Sequence, residues 1–490
     1  MENMEYDASS NRFFIVTSLT WSKKVMIAKE KETIQRRKYK IPVSFLQEIH
    51  IEGIKSNLYN PEEIRIPGPS LGYTIKEYVN VPALDRATTE IVRRHEILRT
   101  SYRVTDGRSY QIINETPEKT LNIVNLKDFK KKDEKKKEIC RILSEISSYK
   151  FDVFNDLLMI KFTLISFENE HKLLITSHHI ATDAISLMIL HRELFLLYHA
   201  FANNLLSPLP ELPVQYADFS IWESTHFSDE YINEKLTYWK EVLSNSFELR
   251  LPTDHRPQSK ISLKGASVPV SIKPDLVNKL MILSNENRVT FFTILLAGYF
   301  SAVYCFSGYR FNESVIPVTR RTQREIKSLI GCFNDFQCVR IDFSNDPDFE
   351  EIIKRTYRTV LDARDNYVPS WSYLKQFSSL PKYSKTQIGF NFIQSPYRST
   401  TGTNSYQGEK TVIPFKIPLP KTSLFAFSMD LIEDSGSVTG DMTYQKNIFE
   451  RKTMINLVND YINLLEDIVS NPKTRISEMN IKPHEGVKIG

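Results

Sequence analysis

The stretch "TSHHIATDAIS", Thr176 to Ser186, places two adjacent histidines, His178 and His179, before an aspartate, Asp183. An imidazole titrates near neutral pH and can take a proton from an attacking amine or hydroxyl. His179 and Asp183 stand at i and i+4, which puts them on one face if the turn is helical. A direct His–Asp relay and an Asp183 that turns away to pair with an arginine both remain open. Alone, the pattern is as typical of a structural histidine pair as of a catalytic one.

The residues around this stretch predict a strand, a turn, a second strand and a helix. Ile160, Phe162 and Leu164 alternate with polar residues, which indicates a half-buried strand. "ENEH" then predicts a turn and "KLLITS" a returning strand, followed by a helix from Asp183 to about Ala202. The histidines therefore fall at a strand end, where a rigid element can hold a side chain at the edge of a cleft.

The bulk composition is that of a globular protein with room for two lobes. The chain has 490 residues, of which 41% are hydrophobic and 25% charged. The net charge of +5, from 64 basic and 59 acidic residues, is too small to indicate nucleic acid, though it suits an acidic protein partner. The four cysteines include no CxxC pair and no signal peptide is visible, so we expect reduced thiols in a cytoplasmic protein.

One apolar segment needs an assignment. Val289 to Tyr309 carries no charge, as a membrane span would. Thr290, Thr293 and Ser301 interrupt it, and no second such segment exists. We therefore predict a buried helix and no membrane partner.

The organisation along the chain predicts four parts. Residues 1–40, with the basic run "KEKETIQRRKYK", form a leader that is a candidate docking segment and favours a free-standing protein. An N-terminal lobe covers 41–215 and a C-terminal lobe 216–480, with the change of lobe at the proline-rich "LSPLPELPVQYADFSIW", and 481–490 form a tail. A second basic run, Lys127 to Ile139, is typical of a solvated helix face, with a docking surface for an acidic partner as the alternative.

The sequence lacks the motifs typical of several kinds of binding and catalytic site. The sequence has no GxxxxGK loop and no GxGxxG, so neither nucleotide phosphates nor a dinucleotide have an obvious cradle. It has no GxSxG elbow for a serine nucleophile. The cysteines lack zinc-ligand spacing and the histidine motif supplies few neutral ligands, so we predict no metal site.

Further motifs follow one another along the chain. They are "IPVSFLQE" with Ser44 and Gln47, "RHEILRTSY" from Arg94, "SHHIATDAIS", "YADFSIW" from Tyr216, "IGCFNDFQCVR" from Ile330, and "FNFIQ". In this order they resemble the motifs of condensation domains of nonribosomal peptide synthetases. These domains belong to the HHxxxD acyltransferase superfamily, which includes chloramphenicol acetyltransferase. The resemblance covers about residues 41–480.

The resemblance implies a fold and a set of partners. The family fold is α/β, with two chloramphenicol-acetyltransferase-like lobes in a V and an active-site tunnel between them. A donor acyl or peptidyl carrier protein and an acceptor carrier protein would dock at opposite ends, and a free amine is the alternative acceptor. The carriers would supply phosphopantetheine, so no cofactor is expected on this chain, which we expect to be a monomer.

The resemblance also implies roles for individual residues. The second histidine of the motif is the catalytic one, which falls on His179, and His178 would support the loop. Asp183 would be structural and held by the arginine ten residues before the motif glycine, which is Arg321. The asparagine of the FN motif near the tunnel would be Asn391.

Three positions depart from the family pattern. Ala184 replaces the motif glycine, and backbone amides near it are candidates to hold the oxyanion. Asp335 stands where the family has asparagine, and Asp365 where it has histidine.

The sequence as a whole predicts an acyltransferase. It would form an amide between a carrier-bound acyl or peptidyl thioester and an amine. The alternatives are a non-catalytic module that recruits carrier proteins, an epimerisation domain, and a coenzyme A-dependent acyltransferase acting on a small molecule.

Overall fold

The structure is a computed structural model that describes most of the chain, namely residues 4–7, 12–15, 40–55, 68–76, 78–126, 132–147, 149–167, 170–244, 251–256, 264–369, 388–394, 412–415, 422–434 and 436–479. The strands within these ranges are β1 Met4–Asp7, β2 Arg12–Ile15, β3 Ile41–Pro42, β4 Ser70–Ile75, β5 Thr100–Thr105, β6 Arg108–Ile113, β7 Leu121–Asn125, β8 Ile160–Ser166, β9 His171–Ser177, β10 Gly265–Ile272, β11 Phe311–Thr319, β12 Asn334–Asp342, β13 Ile388–Gln394, β14 Val412–Phe415, β15 Phe427–Asp434 and β16 Ser437–Gln445. The α-helices are α1 Phe45–Lys55, α2 Val81–Arg94, α3 Lys132–Ser147, α4 Ala184–Ala202, α5 Tyr216–His226, α6 Asp229–Ser244, α7 Pro274–Glu286, α8 Phe291–Ser307, α9 Phe349–Asp365 and α10 Arg451–Ser470.

The N-terminal lobe is built on a five-stranded sheet in the order β14-β4-β9-β8-β7. Successive residues of a strand point to opposite faces, so Leu173 and Ile175 of β9 join the main core of this lobe, while Leu174 joins a smaller cluster with Ile142 of α3. Helices α2 and α4 pack together, and both contribute buried residues to the main core. The predicted half-buried strand is therefore wrong in one respect: α3 covers the second face, and in β8 only Lys161 is exposed.

The C-terminal lobe is built on a six-stranded sheet in the order β10-β16-β15-β13-β11-β12. Helix α8 begins at the N-cap Thr290, whose side chain accepts a hydrogen bond from Thr293 N, and ends at Gly308 with φ 68°. Residues of α8 and α10 pack in the core of this lobe. All but one of the residues of α8 are buried, which confirms the buried helix predicted within 289–309. By length and hydropathy alone, one helix of the described residues, α4, resembles a membrane span, and it packs on α2.

Among the described residues, three segments join the lobes. Strand β14, far along the chain, pairs antiparallel with β4 at the edge of the N-terminal sheet. The connection between β11 and β12 places Ile326, Leu329, Ile330 and Phe333 in the N-terminal core. This insertion brings the "IGCF" segment to the loop that carries the two histidines.

The third joining segment is α5, which corrects the predicted boundary at residue 216. Tyr216 and Phe219 lie in the N-terminal core, whereas Ile232 and Leu236 of α6 lie in the C-terminal one. By packing, the chain therefore changes lobe after α5, because its apolar face is used by the first lobe.

The basic segments are only partly described. Of the leader, β1 and β2 pair antiparallel, and residues 29–39 of its basic run lie outside the described residues. In the second run, helix α3 begins at Lys132, and the described side chains of Glu134 and Lys137 are exposed, as a solvated face requires. The tail 481–490 lies outside the described residues.

Candidate active site

The histidine motif occupies a tight turn between β9 and α4. The chain leaves β9 at Ser177, turns at 179–181 and enters α4 at Ala184. Ser177 Oγ lies 2.7 Å from Thr182 Oγ1, and Thr182 Oγ1 donates to the carbonyl of His178 at 3.1 Å. These bonds fix the loop, so the two imidazoles are held by a rigid strand end.

His179 is oriented by a backbone carbonyl. Its Nδ1 lies 3.1 Å from Thr182 O, and because a carbonyl can only accept, Nδ1 carries the proton. In the neutral ring, Nε2 then has a free lone pair. Burial holds the pKa of His179 below its ordinary value, although nearby Asp183 acts in the opposite direction. The ring is therefore neutral near pH 7 and can accept a proton at Nε2.

His178 uses its side chain differently. Its Nδ1 accepts a hydrogen bond from Ile180 N at 3.0 Å, so this nitrogen is engaged by the loop itself. Burial, with a smaller contribution from His179, lowers the pKa of His178 to about 4. The geometry supports the loop-bracing role that the resemblance implied.

Asp183 caps the helix that follows the motif. Its Oδ1 accepts from Ser186 N at 2.7 Å, which makes it the N-cap of α4. The same oxygen accepts from Arg321 Nη2 at 3.0 Å, and Oδ2 accepts from Phe333 N at 3.1 Å. Both carboxylate oxygens thus bind groups other than His179. Of the two arrangements left open by the sequence, the structure shows Asp183 paired with Arg321, and no hydrogen bond joins Asp183 directly to the His179 ring.

Ser186, which the sequence analysis did not single out, joins the lobes at this point. Its Oγ donates to Asp183 Oδ1 at 2.7 Å or to Gly331 O at 2.8 Å, and accepts from Gly331 N at 3.0 Å. Arg321 Nη2 lies 2.9 Å from the same oxygen. The hydroxyl therefore links the motif helix to the inserted "IGCF" segment. Only the spacing of three residues from Asp183, typical of a helix cap, signals it in the sequence.

A third imidazole, also missed from the sequence, lies beside the motif. The ring of His50 in α1 is near-parallel to that of His179, at 13° with centroids 6.1 Å apart. It meets His178 edge-on, at 74° and 6.0 Å. Its Nε2 lies 3.8 Å from Cys332 Sγ, and burial holds the pKa of that thiol well above its ordinary value, so the thiol stays protonated.

The two remaining candidate site residues, Ala184 and Asn391, lie on α4 and β13. Ala184 is the first residue of α4, is half-buried, and is not among the described residues with positive φ. Asn391 lies on β13, where its Nδ2 donates to Asp430 Oδ1 on β15 at 3.3 Å. Its hydrogen bond is therefore made within the C-terminal sheet, and a role for Asn391 toward substrate stays a prediction.

The other two positions that depart from the family pattern, Asp335 and Asp365, have different surroundings. Asp335 is buried, and its carboxylate accepts from the hydroxyl of Tyr367 and from Phe336 N. Asp365 ends α9, where it is exposed and pairs with Arg364. The first departure thus adds a buried acid to the lobe junction, whereas the second lies on the surface.

The "RHE" motif forms a buried polar cluster that supports the fold. Glu193 of α4 accepts from Arg94 Nε at 3.0 Å and lies 2.8 Å from His95 Nε2. His95 Nδ1 is 3.4 Å from Ile330 N in the inserted segment. This motif therefore ties α2, α4 and the insertion together rather than touching the site.

Metal ligation has no candidate in the part of the chain that the structure describes. No group of three or more His, Cys, Asp or Glu side chains there is arranged to hold an ion.

Comparison with known proteins identifies the family. The model of the family described as "Condensation domain" matches residues 70–487. This chain belongs to the condensation-domain family, which confirms the resemblance drawn from the motifs.

Curated relatives are much longer proteins. One of the linear gramicidin synthase proteins of Brevibacillus parabrevis is 30% identical over 462 residues, which cover 92% of this chain and 9% of that protein. Cyclosporin synthetase simA of Tolypocladium inflatum is 27% identical over 414 residues, 83% of this chain and 3% of that protein. The chain thus spans a small fraction of these relatives.

Solved structures share the fold at low identity. The X-domain from teicoplanin biosynthesis has a TM-score of 0.75 at 21% identity, covering 90% of this chain and 98% of that one. The condensation domain from the Monacolin K polyketide synthase MokA has a TM-score of 0.72 at 15% identity, covering 89% and 99%. The epimerization domain from the third module of tyrocidine synthetase B has a TM-score of 0.70 at 17% identity, covering 89% and 98%. The predicted α/β fold of two lobes is confirmed.

Proposed function

We propose that this chain is an acyltransferase that forms an amide between a carrier-bound acyl or peptidyl thioester and an amine. The observation that carries the proposal is His179, whose Nδ1 is bound to Thr182 O so that Nε2 is left as a base. Membership of the condensation-domain family supports the same class of reaction.

The chemical step uses groups that the site already orders. The amine nitrogen attacks the thioester carbonyl while His179 Nε2 accepts the proton that this nitrogen loses. The new C–N bond forms, the C–S bond breaks, and the proton passes from the imidazolium to the departing thiolate. The thioester is activated before it arrives, so the step needs no nucleotide. Amides at the start of α4, near Ala184, are suited to hold the oxyanion.

The substrates are proposed to arrive on partners. A donor carrier protein would present the thioester on its phosphopantetheine arm, and the amine would come from an acceptor carrier or from solution. His178 and the Asp183–Arg321 pair would hold the loop, and Asn391 would face the tunnel that the family fold implies.

The test replaces His179, the proposed base, with alanine. Purified chain is mixed with an acyl-loaded donor carrier and with free amines or an aminoacyl carrier, and amide formation is followed by mass spectrometry. His179→Ala should lower the rate by about 10²-fold or more, as expected when an acid–base group is lost. His191→Ala, at a histidine of α4 that contacts Tyr73 rather than the site, is the matched control.

The same assay separates the alternatives. Normal turnover by a folded His179→Ala protein would contradict the proposal. Carrier binding without any transfer by the wild type would favour the recruitment module. Transfer only from acyl coenzyme A, or inversion of a carrier-bound residue without transfer, would favour the other two alternatives.

A further inference from the structure

Helix α1 is fixed at its start by the "SFLQ" segment. Ser44 N donates to Gln47 Oε1 at 2.9 Å, and Gln47 N donates to Ser44 Oγ at 3.2 Å, which is a reciprocal capping box. Both side chains continue into buried tyrosines: Ser44 Oγ lies 2.9 Å from Tyr216 Oη, and Gln47 Nε2 donates to Tyr102 Oη at 2.9 Å. His50 follows Gln47 by three residues, so it lies on the same helix face and its position is set by this anchor.

The ring of His50 lies beside that of His179. Their centroids are 6.1 Å apart and their planes differ by 13°, which is a near-parallel, laterally displaced pair within the range of aromatic contacts. His50 Nε2 also lies 3.8 Å from Cys332 Sγ. The imidazole therefore contacts both a thiol of the inserted segment and the candidate base.

His179 needs such a support. Its hydrogen bond to Thr182 O fixes one edge of the ring, and the direction of Nε2 on the opposite edge depends on the groups that pack around the imidazole. His178 is secured differently, through Ile180 N. A flat, near-parallel group beside His179 limits the tilt of its ring and so helps to hold Nε2 in one direction.

The charge of His50 suits this arrangement. Burial, and then the neighbouring His178 and His179, hold the pKa of His50 well below its ordinary value. It therefore stays neutral when His179 takes a proton, and does not repel the imidazolium.

We propose that His50 is a positioning residue for His179: lying near-parallel to its ring and in contact with Cys332, it helps to fix the direction of Nε2. This inference rests on the proposed function for its kinetic test, and on the geometry alone for its spectroscopic one.

The kinetic test compares two replacements of His50. His50→Leu removes the ring, and we expect kcat to fall by about 10-fold with KM little changed, because misorientation of a base affects the transition state rather than binding. His50→Phe keeps a flat ring and should restore most of kcat. His226→Leu, which removes an imidazole stacked on Trp222 at 4.6 Å, is the matched control and should leave kcat unchanged.

The spectroscopic test needs no turnover. Nitrogen-15 spectra of histidine-labelled protein, assigned with His179→Ala, report which ring nitrogen of His179 carries the proton. The wild type and His50→Phe should show the Nδ1–H form alone, and His50→Leu a mixture of forms. If His50→Leu does not fold, His50→Gln, which also lacks a ring, replaces it.

The two tests give outcomes that either support or contradict the positioning role of His50. Unchanged kcat and an unchanged tautomer in His50→Leu would overturn the proposal, and so would a His50→Phe enzyme as slow as His50→Leu. If the wild type transfers no acyl group but His50→Leu still loses the single tautomer, the proposed function fails and the positioning role stands.

Discussion

At the scale of single residues, the three imidazoles of the site share an environment but differ in their hydrogen bonds. Nδ1 of His179 donates to a carbonyl, Nδ1 of His178 accepts from an amide, and Nε2 of His50 lies 3.8 Å from a thiol. For His178 and His179 the partner decides which nitrogen holds the proton. The proposed roles of the three, as base, loop brace and positioning residue, thus rest on one residue type in three bonding environments.

The lowered pKa of His178 makes stability depend on pH. Its folded value of about 4 lies below its ordinary 6.5, so below pH 6.5 the unfolded chain binds a proton that the folded chain does not. The stabilisation is present above 6.5 and is lost as the pH falls toward 4. We expect the difference in unfolding free energy between wild type and His178→Asn to shrink over this window, measured by urea unfolding. A difference that stays constant with pH would contradict this.

The Asp183–Arg321 pair predicts a large loss of stability. Both side chains are buried, and Asp183→Asn leaves the guanidinium without its anion, at a cost of about 3–5 kcal/mol. Asp365→Asn removes an exposed carboxylate from Arg364 and should cost less than about 1 kcal/mol. Chemical unfolding of both variants measures the two costs. An unchanged unfolding midpoint with lost activity would instead place Asp183 in the chemistry.

At the scale of elements, the site depends on two helix starts. The capping box of Ser44 and Gln47 sets α1 and with it His50, and Asp183 caps α4 directly after the motif loop. A cap satisfies amides that have no partner within the helix, so it fixes the first turn. His50 lies within two turns of the first cap, and His179 lies in the loop that leads into the second.

The start of α4 also predicts the effect of Ala184. Because φ of Ala184 is not positive and the residue is helical, glycine offers no conformational advantage there. Ala184→Gly should lower the unfolding free energy by up to about 1 kcal/mol and leave the transfer rate unchanged. Rates for a series of donors of increasing size test this. Faster transfer of bulky donors by the variant would show instead that the methyl group narrows the site.

At the scale of the whole molecule, the two lobes meet at the site. Gly331 of the inserted segment exchanges hydrogen bonds with Ser186 of α4, and Tyr216 donates to Cys332 O at 2.6 Å. Side chains from both lobes therefore fix the motif loop. Motion between the lobes would therefore disturb the loop that carries His179.

This junction predicts that a single methyl group is harmful. A Cβ on Gly331 would lie 2.2 Å from Tyr216 Cδ2 and 2.7 Å from Phe333 Cε2, so both rings must shift. Gly331→Ala should cost about 1–3 kcal/mol and lower kcat, because Tyr216 also holds Ser44. Gly298→Ala, which crowds Leu465 in the other core, should affect stability alone. Thermal unfolding and kcat are measured for both, and equal losses of kcat would contradict a special role for the junction.

The sequence by itself determined the local parts of this protein. The alternation of apolar residues located β8, the turn after it located β9, and the uncharged stretch 289–309 located the buried α8. The ordered motifs identified the family, and the resemblance implied the pairing of Arg321 with Asp183. These features depend either on residues close together in the sequence or on motifs shared with the condensation-domain family.

Only the tertiary structure decided which distant residues meet. His50 reaches Cys332 across 282 positions of the chain, and α3 covers a strand face that the alternation of β8 left open. The sequence likewise did not predict that α5 and β14 pack with the N-terminal lobe, because an apolar pattern does not determine which of two cores a segment joins. Thr182 O, three residues along the chain, binds Nδ1 of His179, whereas His50 comes to lie beside that ring only through the packing of the whole chain.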